Sequence, residues 1–226
     1  MEEINKKLKF QMITKFGLAP FVMGLFFFLP AGTFYYWQAW LYIGVICIPM
    51  LFAVFYFLKH DPELLRRRSQ FNEKEKEQKI LMKFMNIYFI LVFLIPGFDF
   101  RYQWSNVPPE LVIIANIFVF LSYMFVVSVL KENSYASRII EVEKGQKVIS
   151  AGSYAIVRHP MYSGVLLMLI FTPFALGSYW QLLAFSPVPI LIALRLLNEE
   201  KVLKRDLEGY EEYCKKTKYR LIPFVW

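Results

Sequence analysis

The chain has 226 residues, of which 57% are hydrophobic and 19% aromatic. This composition excludes a disordered chain and a collagen-like chain, and the two cysteines exclude a disulfide scaffold. A net charge of +8 would suggest nucleic acid as the partner of a soluble protein, but on so hydrophobic a chain it indicates a membrane protein with a basic cytoplasmic face. We therefore expect the lipid bilayer as a partner and no nucleic acid. We also predict no metal site, because the two histidines are too few to build one.

A helix needs about 20 mostly apolar residues to cross a bilayer, and six segments of the sequence are close to that length. They lie at about residues 16–34, 37–58, 80–98, 110–130, 161–178 and 180–197. Pro187 and Pro189 predict a kink or a break in the sixth segment. The sequence therefore predicts an all-α, polytopic membrane protein with about six transmembrane helices.

The basic residues alternate along the chain between the two ends of these predicted helices. Of the 26 lysine and arginine residues, 25 lie within residues 1–15, 59–83 and 131–160 or from Arg195 onward. Arg101 is the exception. Because cytoplasmic loops carry the excess of Lys and Arg, this pattern predicts that both termini are cytoplasmic.

Beyond Glu200 the pattern becomes amphipathic. Apolar residues at Val202, Leu203, Leu207 and Tyr210 share one face among charged neighbours. This pattern predicts a C-terminal amphipathic cytoplasmic helix, which would lie over a site at the membrane surface.

The sequence Gly-Ser-Tyr-Ala-Ile-Val-Arg-His-Pro-Met-Tyr-Ser-Gly, residues 152–164, leads into the fifth apolar segment. His159 precedes a proline and is therefore biased to extended geometry. Pro160 suits the first turn of a helix, and the free N–H groups there could bind a carboxylate or a phosphate. The alternative is purely structural: Arg158 and His159 anchor the helix end and Pro160 starts the helix.

Arg195 and Glu199 form a second polar cluster, near the end of the sixth segment. Their spacing of four residues places them on one helix face. An ionisable pair at that depth is a functional hypothesis, and its alternative is an interfacial salt bridge. The glycine spacing contains neither a dinucleotide-binding fingerprint nor a phosphate-binding loop.

Together these clusters resemble the isoprenylcysteine carboxyl methyltransferase family of integral-membrane enzymes. The resemblance covers about residues 131–226. It is carried by Gly152-Ser153-Tyr154, by residues 158–164, by Arg195, by Glu199-Glu200 and by Gly209-Tyr210-Glu211-Glu212-Tyr213.

The resemblance implies an S-adenosylmethionine-dependent methyltransferase with its active site on the cytoplasmic side. The implied acceptor is a lipophilic small molecule or a prenylated one, with an isoprenylcysteine-type carboxylate favoured. Arg195 and Glu199 match the residues at the acceptor. Nine residues match cofactor contacts: Gln146, Lys147, Val148, Ile149, Tyr154, His159, Pro160, Met161 and Tyr162. On this basis residues 1–130 are a transmembrane scaffold of four spans, and residues 131–226 are the cofactor-binding and catalytic region.

Three alternatives remain open from the sequence. A phospholipid amine N-methyltransferase would use Glu199 or Glu200 as a base. A membrane sterol-type reductase that uses NADPH shares the Arg-His-Pro element, but it typically has asparagine after the proline and an acidic residue after the glycine, where this chain has Met161 and Val165. A small transporter or a membrane scaffold would be the non-enzymatic alternative, although the first four segments show no polar stripe and no duplicated half is visible.

Overall fold

The computed structural model describes residues 2–69, 76–137, 139–143 and 145–226. Within these residues the regular structure is helical, without a strand, which confirms the predicted all-α class. The helices are α1 Glu2–Gly17, α2 Ala19–Ala31, α3 Trp37–His60, α4 Pro62–Arg68, α5 Lys76–Tyr102, α6 Pro109–Glu132, α7 Pro160–Ala175, α8 Tyr179–Ala184, α9 Val188–Asp206 and α10 Tyr210–Lys216. A short 3-10 turn, Gly152–Ala155, precedes α7.

Five helical segments in the described residues are long and apolar enough to cross a membrane. They are Lys9–Ala31, Trp37–His60, Lys79–Tyr102, Pro109–Glu132 and Tyr179–Asp206. The fifth predicted span is the exception, because α7 has only 16 residues. At 1.5 Å per residue it is about 24 Å long, short of the hydrocarbon thickness of about 30 Å. The prediction of a polytopic membrane protein is confirmed, with five candidate spans of full length in the described residues where the sequence predicted about six.

The sixth predicted span is interrupted where its prolines predict. Helix α8 ends at Ala184 and α9 begins at Val188, with Pro187 at the N-cap and Pro189 in the first turn. The predicted amphipathic helix is not a separate continuous helix. Helix α9 runs on to Asp206, and Gly209, at φ +81°, starts the short α10. Val202, Leu207 and Tyr210 are nevertheless buried, as the amphipathic pattern predicts.

Glycines allow the closest helix contacts. A Cβ at Gly164 of α7 would lie 2.7 Å from the Val126 side chain of α6, so α7 packs tightly against α6. A Cβ at Gly97 of α5 would lie 2.6 Å from the carbonyl oxygen of Phe27 in α2. These contacts fix the short α7 against α6, and the residues that begin α7 thereby gain a defined position.

The turns at the end of the bundle near Ser178 converge on one buried carboxylate. Asp99 is 1% exposed and accepts hydrogen bonds from the Ser105 backbone N–H, from the Ser105 hydroxyl and from the Ser178 hydroxyl. Ser178 also caps α8 by accepting from the N–H of Gln181. This network holds the hairpin between α7 and α8, at the opposite end of α7 from His159.

Candidate functional site

A cavity, partly open to solvent, lies at the start of α7. One wall is the connecting segment between α6 and the 3-10 turn, here called the wall segment (residues 133–149, of which 138 and 144 lie outside the described residues). The other walls come from the start of α7, the last turns of α9 and α10. The cavity is lined by all the predicted site residues except Pro160, namely Gln146, Lys147, Val148, Ile149, Tyr154, His159, Met161, Tyr162, Arg195 and Glu199. Pro160 is buried in the first turn of α7.

Tyr162 joins Arg195 and Glu199 through its hydroxyl. The Arg195 Nε–H donates to the Tyr162 oxygen at 3.0 Å, and the Tyr162 hydroxyl donates to Glu199 Oε2 at 2.7 Å. Arg195 is 9% exposed, so its charge is largely withdrawn from water. One turn of α9 separates the two ionisable residues, and the first turn of α7 supplies the bridging tyrosine. The three side chains form a polar cluster at the floor of the cavity.

His159 has the non-helical geometry that its following proline predicts, at φ −128° and ψ 61°. Its N–H donates to the Arg220 carbonyl at 3.0 Å. The ring is 5% exposed and lies between two carboxylates, with Nδ1 3.9 Å from Glu199 and Nε2 3.4 Å from Glu200. The contact to Glu200 is not a well-formed hydrogen bond, and Nε2 has no other partner within the described residues. The Nε2 atom therefore faces the Glu200 carboxylate, while the His159 ring borders the cavity.

Tyr154 is fixed at both its ring and its backbone. Its hydroxyl accepts from Asn133 Nδ2 at 3.0 Å, and its carbonyl accepts from the Tyr213 hydroxyl at 2.7 Å. Burial raises the pKa of Tyr154 to about 12, so the phenol stays protonated at neutral pH. The tyrosine can therefore donate one hydrogen bond into the cavity or present its ring there.

The 3-10 turn before α7 is tied to the end of α6 by Glu132. The Ser153 N–H donates to Glu132 Oε2 at 2.8 Å, and the Ser153 hydroxyl donates to Oε1 at 3.1 Å. Gly152 has φ +58°, and a Cβ there would lie 2.6 Å from the Glu132 carboxylate. Glycine at this position therefore allows both the left-handed backbone and the close approach of Glu132.

We expect Gly152→Ala to lower the unfolding free energy by about 1–2 kcal/mol, because an L side chain is strained at positive φ and displaces Glu132. Thermal unfolding in detergent measures the effect. Gly145→Ala is the matched control, since Gly145 also has positive φ but its added Cβ meets nothing within 4 Å. Equal losses in both variants would show that the Glu132 bond contributes nothing.

Sequence reasoning missed the role of Arg158, which anchors the C-terminal segment. Its Nε donates to the Thr217 carbonyl at 2.7 Å, its Nη2 donates to the Lys218 carbonyl at 3.0 Å, and its Nη1 donates to Glu200 Oε1 at 3.0 Å. The Arg220 Nε donates to the other oxygen of Glu200, also at 3.0 Å. Glu200 is 3% exposed and is thus a structural carboxylate with two arginine partners.

Tyr210 is a second residue that the predicted site did not include. It lines the cavity and is 4% exposed, and its hydroxyl has no well-formed hydrogen bond within the described residues. Burial raises its pKa far above the usual range, so the hydroxyl keeps its proton. Its place on the amphipathic face indicated a buried ring, but the pattern did not indicate that Tyr210 lines the cavity.

A family comparison matches the part of the chain that carries most of the cavity. Residues 112–205 match the family described as isoprenylcysteine carboxyl methyltransferase (ICMT). The match runs from α6 through the wall segment and α7 to the end of α9, which are the elements that carry most of the cavity. The predicted resemblance to this family is confirmed for that segment.

Two curated relatives carry a different name. A Delta(14)-sterol reductase of Mus musculus is 29% identical over 92 residues, which is 38% of this chain and 22% of the relative. A Delta(14)-sterol reductase of Schizosaccharomyces pombe is 28% identical over 94 residues, 39% of this chain and 22% of the relative. The chain therefore aligns with about a fifth of the length of these relatives.

Proposed function

We propose that this chain is an integral-membrane, S-adenosylmethionine-dependent methyltransferase whose acceptor is a lipid-like carboxylate. One observation carries the proposal: the cavity in the family-matched segment gathers the residues that match the family's cofactor positions together with Arg195 and Glu199. The Lys and Arg distribution further supports a site on the cytoplasmic side.

The residues of the cavity suit this cofactor. Two residues that line the cavity carry buried polar atoms, His159 Nε2 and the Tyr210 hydroxyl oxygen, which have no well-formed hydrogen bond in the described part of the chain. Such atoms are costly unless a ligand or a water satisfies them. The carboxylate, amine and ribose hydroxyls of S-adenosylmethionine offer matching donors and acceptors. Val148 and Ile149 supply the apolar surface that an adenine ring needs.

The polar cluster on α7 and α9 would bind the acceptor. S-adenosylmethionine supplies a methyl group bonded to a positively charged sulfur. The planar guanidinium of Arg195 suits an acceptor carboxylate, and its bond to Tyr162 fixes the orientation of the plane. Glu199 holds Tyr162 in turn. Methylation of a carboxylate moves no proton, so Arg195 and Glu199 need only bind and orient the acceptor.

The burial of this cluster favours the reaction of an anionic acceptor. A carboxylate loses its charge in the transition state as the sulfonium loses its own. A site with little water favours such charge cancellation, since separated ions lose more solvation there than the transition state does. Within this cluster the guanidinium of Arg195 is the group withdrawn from water, since Arg195 is 9% exposed and the Glu199 side chain is 27% exposed.

An amine acceptor is less well supported. An ammonium group must lose a proton before it can be methylated, which requires a base. Both oxygens of Glu200 are bound by arginines, so Glu200 is poorly suited to that role. Glu199 therefore remains as the candidate base for an amine acceptor. One of its oxygens, Oε2, already accepts a hydrogen bond from the Tyr162 hydroxyl.

The second candidate is an NADPH-dependent reductase, which the two sterol reductase relatives favour. Calorimetric titration of the purified protein with S-adenosylhomocysteine, and separately with NADPH, distinguishes the two activities. We expect saturable binding of S-adenosylhomocysteine alone. Binding of NADPH alone would overturn the proposal and the acceptor role of Arg195.

We further expect Tyr210→Phe to weaken S-adenosylhomocysteine binding by about tenfold, which corresponds to the loss of one hydrogen bond of about 1.4 kcal/mol. The same titration measures it. Tyr179→Phe is the control, because Tyr179 is 42% exposed and lies at the opposite end of α7. Unchanged affinity of Tyr210→Phe would remove this hydroxyl from the ligand contacts.

A further inference from the structure

Arg67 of α4 is buried although it lies in the sequence far from the site. It is 8% exposed, and its guanidinium contacts the wall segment at three residues. Nε donates to Glu143 Oε1 at 2.8 Å, and Nη1 donates to the Ser134 carbonyl at 2.9 Å. The guanidinium carbon also lies 5.1 Å from the centre of the Tyr135 ring. Arg67 therefore binds the wall segment near its beginning and again nine residues later.

The part of the wall segment between these two attachments borders the cavity. Its described lining residues are Tyr135, Ala136, Ser137, Ile139, Ile140 and Glu141. They belong to neither a helix nor a strand, so the ladders of hydrogen bonds that fix regular elements do not hold them. Segments of this kind open locally at low free energy unless side chains fix them.

The contact at Glu143 extends to a predicted cofactor residue. The Glu143 N–H donates to the Gln146 side-chain oxygen at 3.0 Å, and the Gln146 N–H donates to the Glu143 carbonyl at 3.0 Å. Glu143 thus fixes both the backbone and the side chain of Gln146. Arg67 in turn binds the carboxylate of Glu143, and it thereby supports the position of Gln146.

Helix α4 is itself firmly seated, which lets Arg67 act as a fixed point. The Asp61 carboxylate caps α4 by accepting from the Leu64 N–H at 3.0 Å. Leu64 and Leu65 are buried in a cluster with Phe57 of α3 and Met12 of α1. Helix α4 therefore connects α1 and α3 to the wall of the cavity.

We propose that Arg67 is a positioning residue, which holds the wall segment in the conformation that binds the ligand of the cavity. The identity of that ligand rests on the proposed function. The contact of Arg67 with the wall segment does not depend on it. The inference extends the predicted scaffold role of residues 1–130, and α4 lies outside the family-matched range 112–205. Without Arg67, ligand binding would have to order the wall segment, and affinity would fall accordingly.

Hydrogen exchange of the unliganded protein in detergent tests the contact directly. We expect Arg67→Ala to speed amide exchange in peptides from residues 133–149 while exchange in α6 and α7 stays as in the wild type. Arg66→Ala is the matched control, because Arg66 is the neighbouring arginine, has a side chain that is 50% exposed and bonds Glu63 of its own helix. Unchanged exchange of the wall segment in Arg67→Ala would overturn the inference.

Ligand binding then separates a positioning role from a general structural one. We expect Arg67→Ala to weaken S-adenosylhomocysteine binding by about tenfold and to raise the KM for the methyl donor more than it lowers kcat. Arg67→Lys should restore little, because one ammonium cannot replace the guanidinium fork. The exchanged pair Arg67→Glu with Glu143→Arg should recover part of the protection of the wall segment.

The two proposals fail in different ways. If the wild-type protein shows no binding of S-adenosylhomocysteine, the proposed function is wrong, whereas the exchange of the wall segment still decides the role of Arg67. If the wild type binds and Arg67→Ala binds equally well, the proposed function stands and the positioning role is overturned.

Discussion

Replacement of Arg195 by alanine is expected to lower kcat by about 100-fold or more while the protein still binds S-adenosylhomocysteine. Arg195 is the buried cation at the floor of the cavity, and its Nε already holds the Tyr162 hydroxyl at 3.0 Å. Without the guanidinium, an acceptor carboxylate loses its counter-charge in a site with little water. Turnover of an isoprenylcysteine-type carboxylate, measured by transfer of a labelled methyl group, tests the expectation.

Two further variants make this test specific. Arg195→Lys keeps the charge but loses the planar fork, so most of the activity should still be absent. Tyr162→Phe removes both hydrogen bonds of the bridging hydroxyl and should lower kcat less than Arg195→Ala does. Arg205→Ala is the control, since Arg205 lies on the same helix with its side chain 60% exposed. Wild-type turnover in Arg195→Ala would refute the acceptor role.

Much of the site could be predicted because its determinants are local. The non-helical backbone of His159, at φ −128° and ψ 61°, and the helix start at Pro160 follow from the backbone restrictions of proline, although His159 lies outside the predicted extended region. The break between α8 and α9 follows from Pro187 and Pro189 in the same way. The shared face of Arg195 and Glu199 follows from helix periodicity. Each of these features depends on residues within a few positions of one another.

The rest of the site depends on contacts between distant parts of the chain. The approach of Arg67 to Glu143 joins residues 76 positions apart, and the bond from Arg158 to Glu200 spans 42 positions. Charge patterning shows that both arginines lie in basic connections, but it does not say which carboxylate each one meets. The length of α7 was also mispredicted, because apolar residues continue into the buried turn at Leu176 after the helix has ended at Ala175.

The adjacent carboxylates of α9 illustrate this limit most clearly. Sequence alone left Glu199 and Glu200 as equivalent candidates for a base. In the structure Glu199 bonds the Tyr162 hydroxyl on the cavity wall, whereas Glu200 receives Arg158 and Arg220. A rotation of about 100° between neighbouring helix residues separates the two environments. One carboxylate belongs to the proposed acceptor site and the other to the attachment of the C-terminal segment.

We therefore expect the same substitution to affect stability at Glu200 and turnover at Glu199. Glu200→Gln should lower the unfolding free energy by about 3–5 kcal/mol, because it leaves Arg158 and Arg220 without their buried counter-charge. Glu199→Gln should change stability by about 0.5 kcal/mol or less, since the Glu199 side chain is 27% exposed and the amide can still accept from Tyr162.

Thermal unfolding measures the stability of both variants, and limited proteolysis measures the release of the C-terminal segment in Glu200→Gln. Methyl transfer measures the turnover of Glu199→Gln. Glu200→Gln should release residues 214–220, which Arg158 holds through the Cys214, Thr217 and Lys218 carbonyls, and His159 should then lose its backbone bond to Arg220. Glu199→Gln should keep this segment protected and lose turnover. Equal stability of the two variants would mean that the bonds of Glu200 to Arg158 and Arg220 contribute little to the fold, and that the C-terminal segment is held mainly by the burial of Tyr213 and Leu221.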